Sequence, residues 1–293
     1  MIKRTIEISG RGNHLYLYEG SLCVRQGRQI VGRVPLEDLG LLILDAADTT
    51  YTHRLVTDAL GAGAAILLCG ADHHPAGLFL PQNNTRQTKR IRNQAAASKP
   101  LHKRLWKQIV QSKIRNQAAA LSDGPAARRL RSLVTTVRSG DTANVEAHAA
   151  RRYWRMLFGE DFRRSRDGPP PNPLLNYGYM ALRAAVARAV CAAGLHPSLG
   201  LHHHNRGNAF CLADDLLEPL RPLVDIRVRQ LLQGGTDAID RRAKCELLGV
   251  LAEEIEVGGV KGPLSVALER TLASLVACYA GQRKDLELPV LWS

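Results

Sequence analysis

The chain has 293 residues, which suits one large domain or two ordinary ones. Hydrophobic residues make up 45% of it and charged residues 23%, so the composition predicts a packed core and excludes a disordered chain. No apolar run reaches membrane-spanning length and the N-terminus lacks an apolar leader, so we expect a cytoplasmic protein. The 40 Lys and Arg residues against 27 Asp and Glu give a net charge of +13, which is typical of proteins that bind a polyanion.

Short segments rich in β-forming residues occupy the first part of the chain, and turns that contain glycine separate them. The predicted strands are 5–8, 14–18, 22–24, 30–34, 41–44 and 64–68. A helix is predicted over 52–61, between the last two strands. The pattern predicts a β-rich N-terminal domain over residues 1–75, built as a small sandwich with one helix.

Acidic residues are absent between His73 and Ser122, where ten cationic residues lie. They are Arg86, Lys89, Arg90, Arg92, Lys99, Lys103, Arg104, Lys107, Lys113 and Arg115. A run of charge is usually a solvated helix face, but cations without a local acid to balance them favour contact with phosphate. The motif Ile-Arg-Asn-Gln-Ala-Ala-Ala occurs at 91–97 and again at 114–120, which predicts two helices of similar packing.

The rest of the chain is rich in Ala, Leu and Arg, and segments with Gly or Pro interrupt it at intervals. One of these interruptions is the pair Gly258 and Gly259. The pattern predicts an all-α domain over residues 76–293, so the fold class is α+β with a β-rich domain followed by a larger helical one. The six cysteines form no Cys-x-x-Cys pair, which excludes a zinc ribbon and predicts reduced, buried thiols.

Residues 200–222 bring histidines and acids together within a short span. They are His202, His203, His204, Asp214, Asp215 and Glu218. Imidazole nitrogen and carboxylate oxygen are ligands of divalent metal ions, so the run predicts a metal site. On the predicted helix Asp215 and Glu218 share a face, whereas Asp214 diverges from Asp215 by about 100°. The alternative is a surface histidine loop with no ligand.

A further carboxylate, Glu146, lies on a predicted helix over 142–154 that Asp141 or Thr142 would cap. Alanines beside it would let another element approach closely, as a ligand carboxylate in a packed bundle requires. A histidine and two arginines that follow on this helix favour a functional role. The alternative is a solvent-facing glutamate, which is the usual environment of this residue type.

In a basic protein these ligands predict chemistry on a phosphodiester. A bound Mg²⁺ or Mn²⁺ ion would polarise the phosphate and activate an attacking hydroxyl, while cationic side chains neutralise charge on the phosphoryl oxygens. Water attacks in a nuclease that only hydrolyses DNA, and a DNA 3′-OH attacks in an integrase. The residues alone leave both reactions open, together with a DNA-binding scaffold that has no catalytic activity.

Four stretches in order resemble the integrase family of CRISPR adaptation, CRISPR-associated protein one. They are NVEAHAARRYW at 144–154, NPLLNYGYMALRAAVARAV at 172–190, GLHPSLGLHH at 194–203 and LADDLLEPLRPLVD at 212–225. The resemblance spans nearly the whole chain and implies a β-rich domain followed by a helical catalytic domain. The sequences of residues 80–94 and 105–121 resemble those of the family branch that accompanies the RNA-guided effector nuclease of type II systems.

The resemblance implies catalytic and metal-binding roles for Glu146, His203 and Glu218. The family's histidine stands three residues after the glycine that opens its loop, here Gly200. That spacing implies His203, with His204 as its main rival.

Asp215 matches a further acid of the family and is implied as a weaker metal ligand. The choice of the dominant acid among Asp214, Asp215 and Glu218 stays open. Asn176 and Tyr177 match a family segment near the site, which implies contact with DNA or support of the metal ligands.

The implied activity joins the 3′-OH ends of a short prespacer duplex to the CRISPR repeat by transesterification. The implied partners in the prokaryotic cytoplasm are a second copy of this chain and the small CRISPR-associated protein two, with two dimers flanking one dimer of the companion. Other adaptation proteins and the effector nuclease are further implied partners. The candidates for DNA binding are Arg86, Lys89, Arg90, Arg92, Lys103, Arg104, Lys107, Arg151, Arg152, Asn176 and Tyr177, with Arg163, Arg164 and Arg166 nearby.

Overall fold

The computed structural model of the protein describes residues 4–71, 75–82, 87–121 and 124–292. Strands and one helix form its N-terminal part. They are β1 (Arg4–Ile8), β2 (Asn13–Tyr18), β3 (Ser21–Gln26), β4 (Gln29–Pro35), β5 (Leu39–Leu44), β6 (Thr50–Tyr51), α1 (His53–Gly61), β7 (Ala65–Cys69) and β8 (Pro75–Phe79). One sheet has the strand order β1-β5-β7-β8 and the other β4-β3-β2-β6, so the predicted β-rich N-terminal part is confirmed.

Strand β5 is the centre of the first sheet because its sequence, LGLLIL, is apolar throughout. All six of its residues are buried, and it pairs in parallel with β1 and β7, as expected for a strand covered on both faces. Strand β8 runs antiparallel to β7 at the edge, where a proline is tolerated. The sheet therefore continues to Phe79, past the boundary predicted at residue 75.

Helices dominate the rest of the chain. They are α2 (Gln87–Ala95), α3 (Lys99–Ala120), α4 (Pro125–Leu133), α5 (Val145–Phe158), α6 (Asn172–Ala192), α7 (Cys211–Leu217), α8 (Arg221–Gln233), α9 (Arg241–Gly249) and α10 (Leu264–Tyr279). The long helices α3 and α6 lie at the centre, with 10 of 22 and 15 of 21 residues buried. Their packing places α5, α7 and the start of α8 around α3, which is where the candidate site forms.

The prediction of an all-α second domain was wrong at one point, because a small sheet lies near its C-terminal end. Its strands are β9 (Glu254–Val257), β10 (Val260–Pro263) and β11 (Pro289–Val290), in the order β10-β9-β11. Gly258 and Gly259 have φ angles of +61° and +76°, which two-residue hairpin turns between antiparallel strands require. The glycine pair that predicted a break between helices thus forms the turn of a β-hairpin. Side chains along β9 point alternately to the two faces of the sheet, and those of Ile255 and Val257 are buried.

A buried ion pair joins the N-terminal sheet to the helices. The Lys244 ammonium on α9 donates to Asp45, directly after β5, and its Nζ lies 3.9 Å from Glu7 Oε1 on β1. The Tyr177 hydroxyl on α6 donates to Glu7 Oε2 at 3.3 Å. Because a buried charge is costly without its partner, these contacts fix α6 and α9 against the sheet.

All six cysteines lie among the described residues as free thiols, as predicted. Four of them, Cys23, Cys191, Cys211 and Cys278, are buried, whereas Cys245 is exposed. Across the described ranges, no helix is both long enough and apolar enough to cross a membrane.

A substitution at Gly178 on α6 tests how closely the central helices pack. A Cβ atom there would lie 2.5 Å from Val224 Cγ1 on α8 and 3.3 Å from Leu247 Cδ2 on α9. We expect Gly178→Ala to lower the free energy of unfolding by about 1–3 kcal/mol through overpacking, measured by denaturant unfolding. Gly249→Ala is the control, because nothing lies within 4 Å of a Cβ there, and it should be neutral or stabilising. Equal effects of the two substitutions would contradict the close packing of α6.

Candidate active site

Glu146 lies in the first turn of α5, and the residues before the helix fix it there. The Asp141 carboxylate accepts the backbone N–H groups of Val145 and Glu146, each at 2.9 Å. Such capping satisfies amides that have no partner within the helix, so the predicted capping role of Asp141 is confirmed. The side chain of Glu146 is 26% exposed and turns toward α3, in contrast to the solvent-facing alternative.

Lys113 on α3 connects the two candidate glutamates. Its ammonium donates to Glu146 Oε1 and, at 2.5 Å, to Glu218 Oε2. The side chains of Lys113 and Glu218 are each 8% exposed. The sequence groups Lys113 with cations that favour phosphate contact, but in this structure its side chain is buried between two carboxylates.

Glu218 is held in its ionised form by two cations. Its second oxygen, Oε1, accepts from Arg221 Nε at 2.8 Å. Burial alone would raise the pKa of Glu218, but Arg221 and Lys113 outweigh it and lower the pKa to about 2. Burial likewise opposes the charge on Lys113, yet Glu218 and Glu146 raise the pKa of its ammonium above the ordinary value.

His203 is oriented by Asp215, which is fully buried on α7. The ring nitrogen Nδ1 lies 2.7 Å from Asp215 Oδ1, and this hydrogen bond is the main reason that the pKa of His203 is raised. The same carboxylate accepts backbone N–H groups of the loop from Leu201 at 2.6 Å, His202 at 3.1 Å and His203 at 3.2 Å. Both oxygens of Asp215 are engaged in this way, so the carboxylate holds the histidine loop in place.

Gly200 is required where the histidine loop passes over α7. A Cβ atom there would lie 2.5 Å from the carbonyl oxygen of His203 and 2.9 Å from Asp215 Oδ2. No side chain fits at that distance, so the glycine permits the loop to wrap around the aspartate.

The neighbouring histidines have different surroundings. The ring of His202 stacks on Trp106 of α3 at 4.3 Å with parallel planes, and burial lowers the pKa of His202. The ring of His203 meets Trp106 edge-on at 5.9 Å, so the tryptophan forms one wall of the site. His204 is exposed. Of the three histidines, His203 is the one whose ring is hydrogen-bonded to Asp215.

Asp214 points away from Asp215, as the helical spacing predicted. Its carboxylate forms a bidentate pair with Arg183 of α6, with Nε–Oδ1 2.5 Å and a terminal nitrogen 2.8 Å from Oδ2. It also accepts from the Asn208 side chain at 2.6 Å. These contacts engage Asp214 with α6 and leave Glu218 as the acid that faces Glu146 across Lys113.

A cavity of about 670 Å³ opens beside His203, and four arginines line it. Its lining includes Arg164, Arg166, Arg183, His203 and Arg221. The Arg221 guanidinium lies 4.5 Å from the centre of the Tyr179 ring, and that of Arg164 lies 5.5 Å from it. Arg183 and Arg221 were not predicted from the sequence, although an arginine three residues after Glu218 was a possible signal for a paired acid. Guanidinium groups around a cleft suit a phosphate backbone.

The predicted DNA-binding residues fall into three groups. Exposed side chains are Lys89, Arg92, Lys103, Arg104, Arg151 and Arg152, and Lys107 is half-buried. Arg90 donates to the carbonyl of Ala193 at 2.8 Å and so ties α2 to the end of α6. Arg86 lies outside the described residues.

The side chains of Asn176 and Tyr177 form hydrogen bonds to other parts of the protein. The Asn176 amide donates to the carbonyl of Arg166 at 2.7 Å and accepts from Arg164 at 2.7 Å, so it fixes the loop that carries these arginines. Tyr177 is 2% exposed and hydrogen-bonded to Glu7, as described above, so its side chain is part of the core.

The donor set of Glu146, His203 and Glu218 fits a hard divalent cation in its chemistry, because it offers two carboxylates and an imidazole whose Nε2 is not used by Asp215. A cationic group already contacts both carboxylates, which shows that they can share one positive partner. Within the described ranges, no three His, Cys, Asp or Glu side chains are grouped closely enough to hold a metal ion. Lys113 lies between two of the donors, so metal binding there requires its ammonium to move.

The fold and the site define a class of basic protein with a β-rich N-terminal part and an acid–histidine site in a helical bundle. Residues 6–242 match the family described as CRISPR associated protein Cas1. The chain is 38% identical to a CRISPR-associated endonuclease Cas1 of Neisseria meningitidis serogroup C over 95% of this chain and 93% of that protein. It is 28% identical to a Cas1 endonuclease of Pyrobaculum aerophilum, over 92% and 97% of the two chains. The chain therefore belongs to the Cas1 family of CRISPR-associated endonucleases.

Solved structures share its fold at low sequence identity. A casposase bound to its integration product superposes with a TM-score of 0.81 at 18% identity, covering 97% of this chain and 92% of that one. The Cas1 protein of Thermotoga maritima gives a TM-score of 0.77 at 17% identity, over 99% and 100% of the chains. A chain of a Cas6-RT-Cas1–Cas2 complex gives 0.77 at 20% identity, over 96% of this chain and 35% of that one. These matches confirm the predicted α+β fold.

Asp215→Asn tests whether the buried carboxylate organises the histidine loop. An amide has one acceptor oxygen and adds two donors against the loop's N–H groups, so charge-assisted hydrogen bonds are lost. We expect the free energy of unfolding to fall by about 1.5–3 kcal/mol and amide hydrogen exchange to rise across residues 200–204. Asp237→Asn, at an exposed site, is the control and should change neither quantity. Unchanged exchange in Asp215→Asn would mean that the loop is held by other contacts.

Proposed function

We propose that this chain is a divalent-metal-dependent DNA integrase of CRISPR adaptation, in which Glu146, His203 and Glu218 hold Mg²⁺ or Mn²⁺. The observation that carries the proposal is the meeting of Glu146 and Glu218 at Lys113, together with His203 in the lining of an arginine-lined cavity. Membership in the Cas1 family and the likeness to a casposase caught with its integration product support integration over simple hydrolysis. The similarity to the Neisseria protein and the sequence of residues 80–94 support assignment to a type II system.

The metal ion, when bound, would polarise the target phosphodiester and lower the pKa of the attacking hydroxyl. The chain's own residues prepare this chemistry. Asp215 orients the His203 ring through Nδ1 and leaves Nε2 out of that hydrogen bond. Arg221, which is fixed by Glu218 and the Tyr179 ring, and Arg164 supply positive charge beside the phosphoryl oxygens.

The reaction is a phosphoryl exchange that needs no ATP. The 3′-OH of the incoming duplex attacks phosphorus, a new P–O bond forms, and the bond to the 3′ oxygen of the target strand breaks. The proton of the attacking hydroxyl leaves and the departing oxygen takes up a proton, so one phosphodiester replaces another. We propose that the chain acts as a homodimer joined through its β domains, with two dimers flanking one dimer of Cas2. A solved complex of a related Cas1 with Cas2 supports this partner.

Strand transfer on a gel tests the proposed activity. The assay contains the purified chain with its Cas2 companion, a labelled 3′-OH duplex, supercoiled plasmid bearing a CRISPR repeat, and Mg²⁺ or Mn²⁺. Glu146→Gln and His203→Ala should each lower joining by at least about 100-fold, because each removes a metal ligand, while binding of the duplex measured without added metal stays near wild type. Glu160→Gln is the matched control, since Glu160 is exposed near the end of the Glu146 helix.

The outcomes separate the possible functions. Joined product from wild type and the control alone supports the integrase. Shortened or nicked DNA without joining would favour a nuclease that only hydrolyses, and binding without metal-dependent products would favour a scaffold. Substantial joining by Glu146→Gln would contradict the ligand assignment.

The exposed cations on α3 and α5 are expected to contact the DNA backbone. Replacing Lys103, Arg104, Arg151 and Arg152 together by Gln should weaken binding to a duplex. Each phosphate contact releases counterions from the DNA when the protein binds. Loss of one contact should therefore make the slope of log K, where K is the DNA association constant, against log salt shallower by about 0.9. Fluorescence anisotropy over a salt series measures both quantities.

A variant with the same loss of charge provides the control for this measurement. It carries Gln at four exposed arginines of the N-terminal part, namely Arg11, Arg25, Arg28 and Arg54. This variant should keep a steeper slope than the α3 and α5 variant. Equal slopes for the two variants would mean that only net charge matters and that DNA does not follow α3 and α5.

A further inference from the structure

Lys113 occupies the point that the proposed metal ion would need. Its ammonium contacts Glu146 and Glu218 together, and its side chain is 8% exposed. It extends from the buried middle of α3, whose neighbours Ser112 and Ile114 are also buried, so the backbone that carries it is fixed. A cation between two acids at the candidate site is therefore part of the folded chain.

The formal charges around this point cancel. Glu146 and Glu218 contribute two negative charges, and Lys113 and Arg221 contribute two positive ones. A divalent cation that approaches the glutamates meets carboxylates that are already neutralised, and it would also have to lie beside two cations. Metal binding then requires the ammonium to leave a buried pair, which is unfavourable unless the ammonium gains another anionic partner.

DNA can supply that partner. The arginine-lined cavity begins at His203 and Arg221, so a phosphate bound there lies next to the cluster. The lysine side chain has four rotatable bonds and carries its charge at the tip, so it can turn from a carboxylate to a phosphate while α3 stays in place. The phosphate adds negative charge beside the glutamates at the same time.

We propose that Lys113 is a positioning residue that keeps metal affinity low in the free chain and couples metal binding to DNA binding. The proposal rests on the ligand role given above to Glu146 and Glu218. In the free chain the ammonium competes with the metal ion for both glutamates. When DNA binds, its phosphate takes the ammonium, and the glutamates become available. Linkage requires the reverse effect as well, so bound metal strengthens DNA binding by the same factor.

Binding of Mn²⁺ to the full chain tests this directly, with the electron paramagnetic resonance signal of free Mn²⁺ as the readout. Lys113→Met removes the ammonium and keeps the length of the side chain. Without DNA, we expect this variant to bind Mn²⁺ at least about tenfold more tightly than wild type. Lys113→Arg keeps the charge and should bind as weakly as wild type. Lys99→Met, at an exposed position on the same helix, should also match wild type.

The second arm of the experiment adds a DNA duplex. Wild type should gain about tenfold in Mn²⁺ affinity on binding the duplex, whereas Lys113→Met should gain much less because its glutamates are already available. Equal Mn²⁺ affinity of wild type with and without DNA would overturn the proposal, and this measurement stands even if Lys113→Met does not fold. Equal affinity of wild type and folded Lys113→Met without DNA would overturn it too.

A double variant separates this proposal from the proposed function. In the Lys113→Met background, Glu218→Gln should remove the gained Mn²⁺ affinity. If the gain persists without Glu218, the glutamate is not the ligand and the assignment under the proposed function fails. If Glu218→Gln weakens Mn²⁺ binding in wild type as well, but Lys113→Met changes nothing, the ligand assignment stands and the role of Lys113 fails.

Discussion

The arrangement of the helical part depends on one buried group of charges, formed by Lys113, Glu146, Glu218 and Arg221. Buried charges are tolerated only when they are paired with good geometry, so the three segments that carry them must meet in one register. Helix α3 provides the lysine, the first turn of α5 provides one acid, the turn between α7 and α8 provides the other acid, and α8 begins with the arginine. This requirement brings together residues more than a hundred positions apart in the chain.

Polar contacts in the core hold these helices in the same register. Asp225 on α8 accepts the hydroxyl of Tyr153 on α5 at 2.9 Å and the hydroxyl of Tyr179 on α6. Burial raises the pKa of Asp225 to about 7, and the two hydroxyl donors oppose that rise. The Tyr179 ring in turn lies under Arg221, so the arginine beside the site is positioned by the same network that joins three helices.

The N-terminal strands could be predicted from the sequence because glycine turns separate runs of β-forming residues, whereas strand β8, which begins at Pro75, was not predicted. The proposed ligands Glu146, His203 and Glu218 were reached through a family resemblance, since a helical glutamate and a histidine triplet have common alternatives. The inward position of Lys113 was missed for a physical reason. Ten cations without acids indicate positive charge along the segment, but which side chain turns inward depends on acids that lie far away in sequence.

The position of Lys113 also changes what the net charge of +13 means for binding. Cations that are paired inside the fold, such as Lys113 with its glutamates and Lys244 with Asp45, contribute little to the field outside the protein. The exposed cations on α3 and α5 can attract DNA from a distance, whereas the partly buried Arg164, Arg183 and Arg221 of the cavity act only on a phosphate that has entered it. Long-range attraction and close contact are thus assigned to different residues. Because the cavity joins the charge cluster at Arg221, a phosphate that reaches it must also alter the balance of charge around the two glutamates.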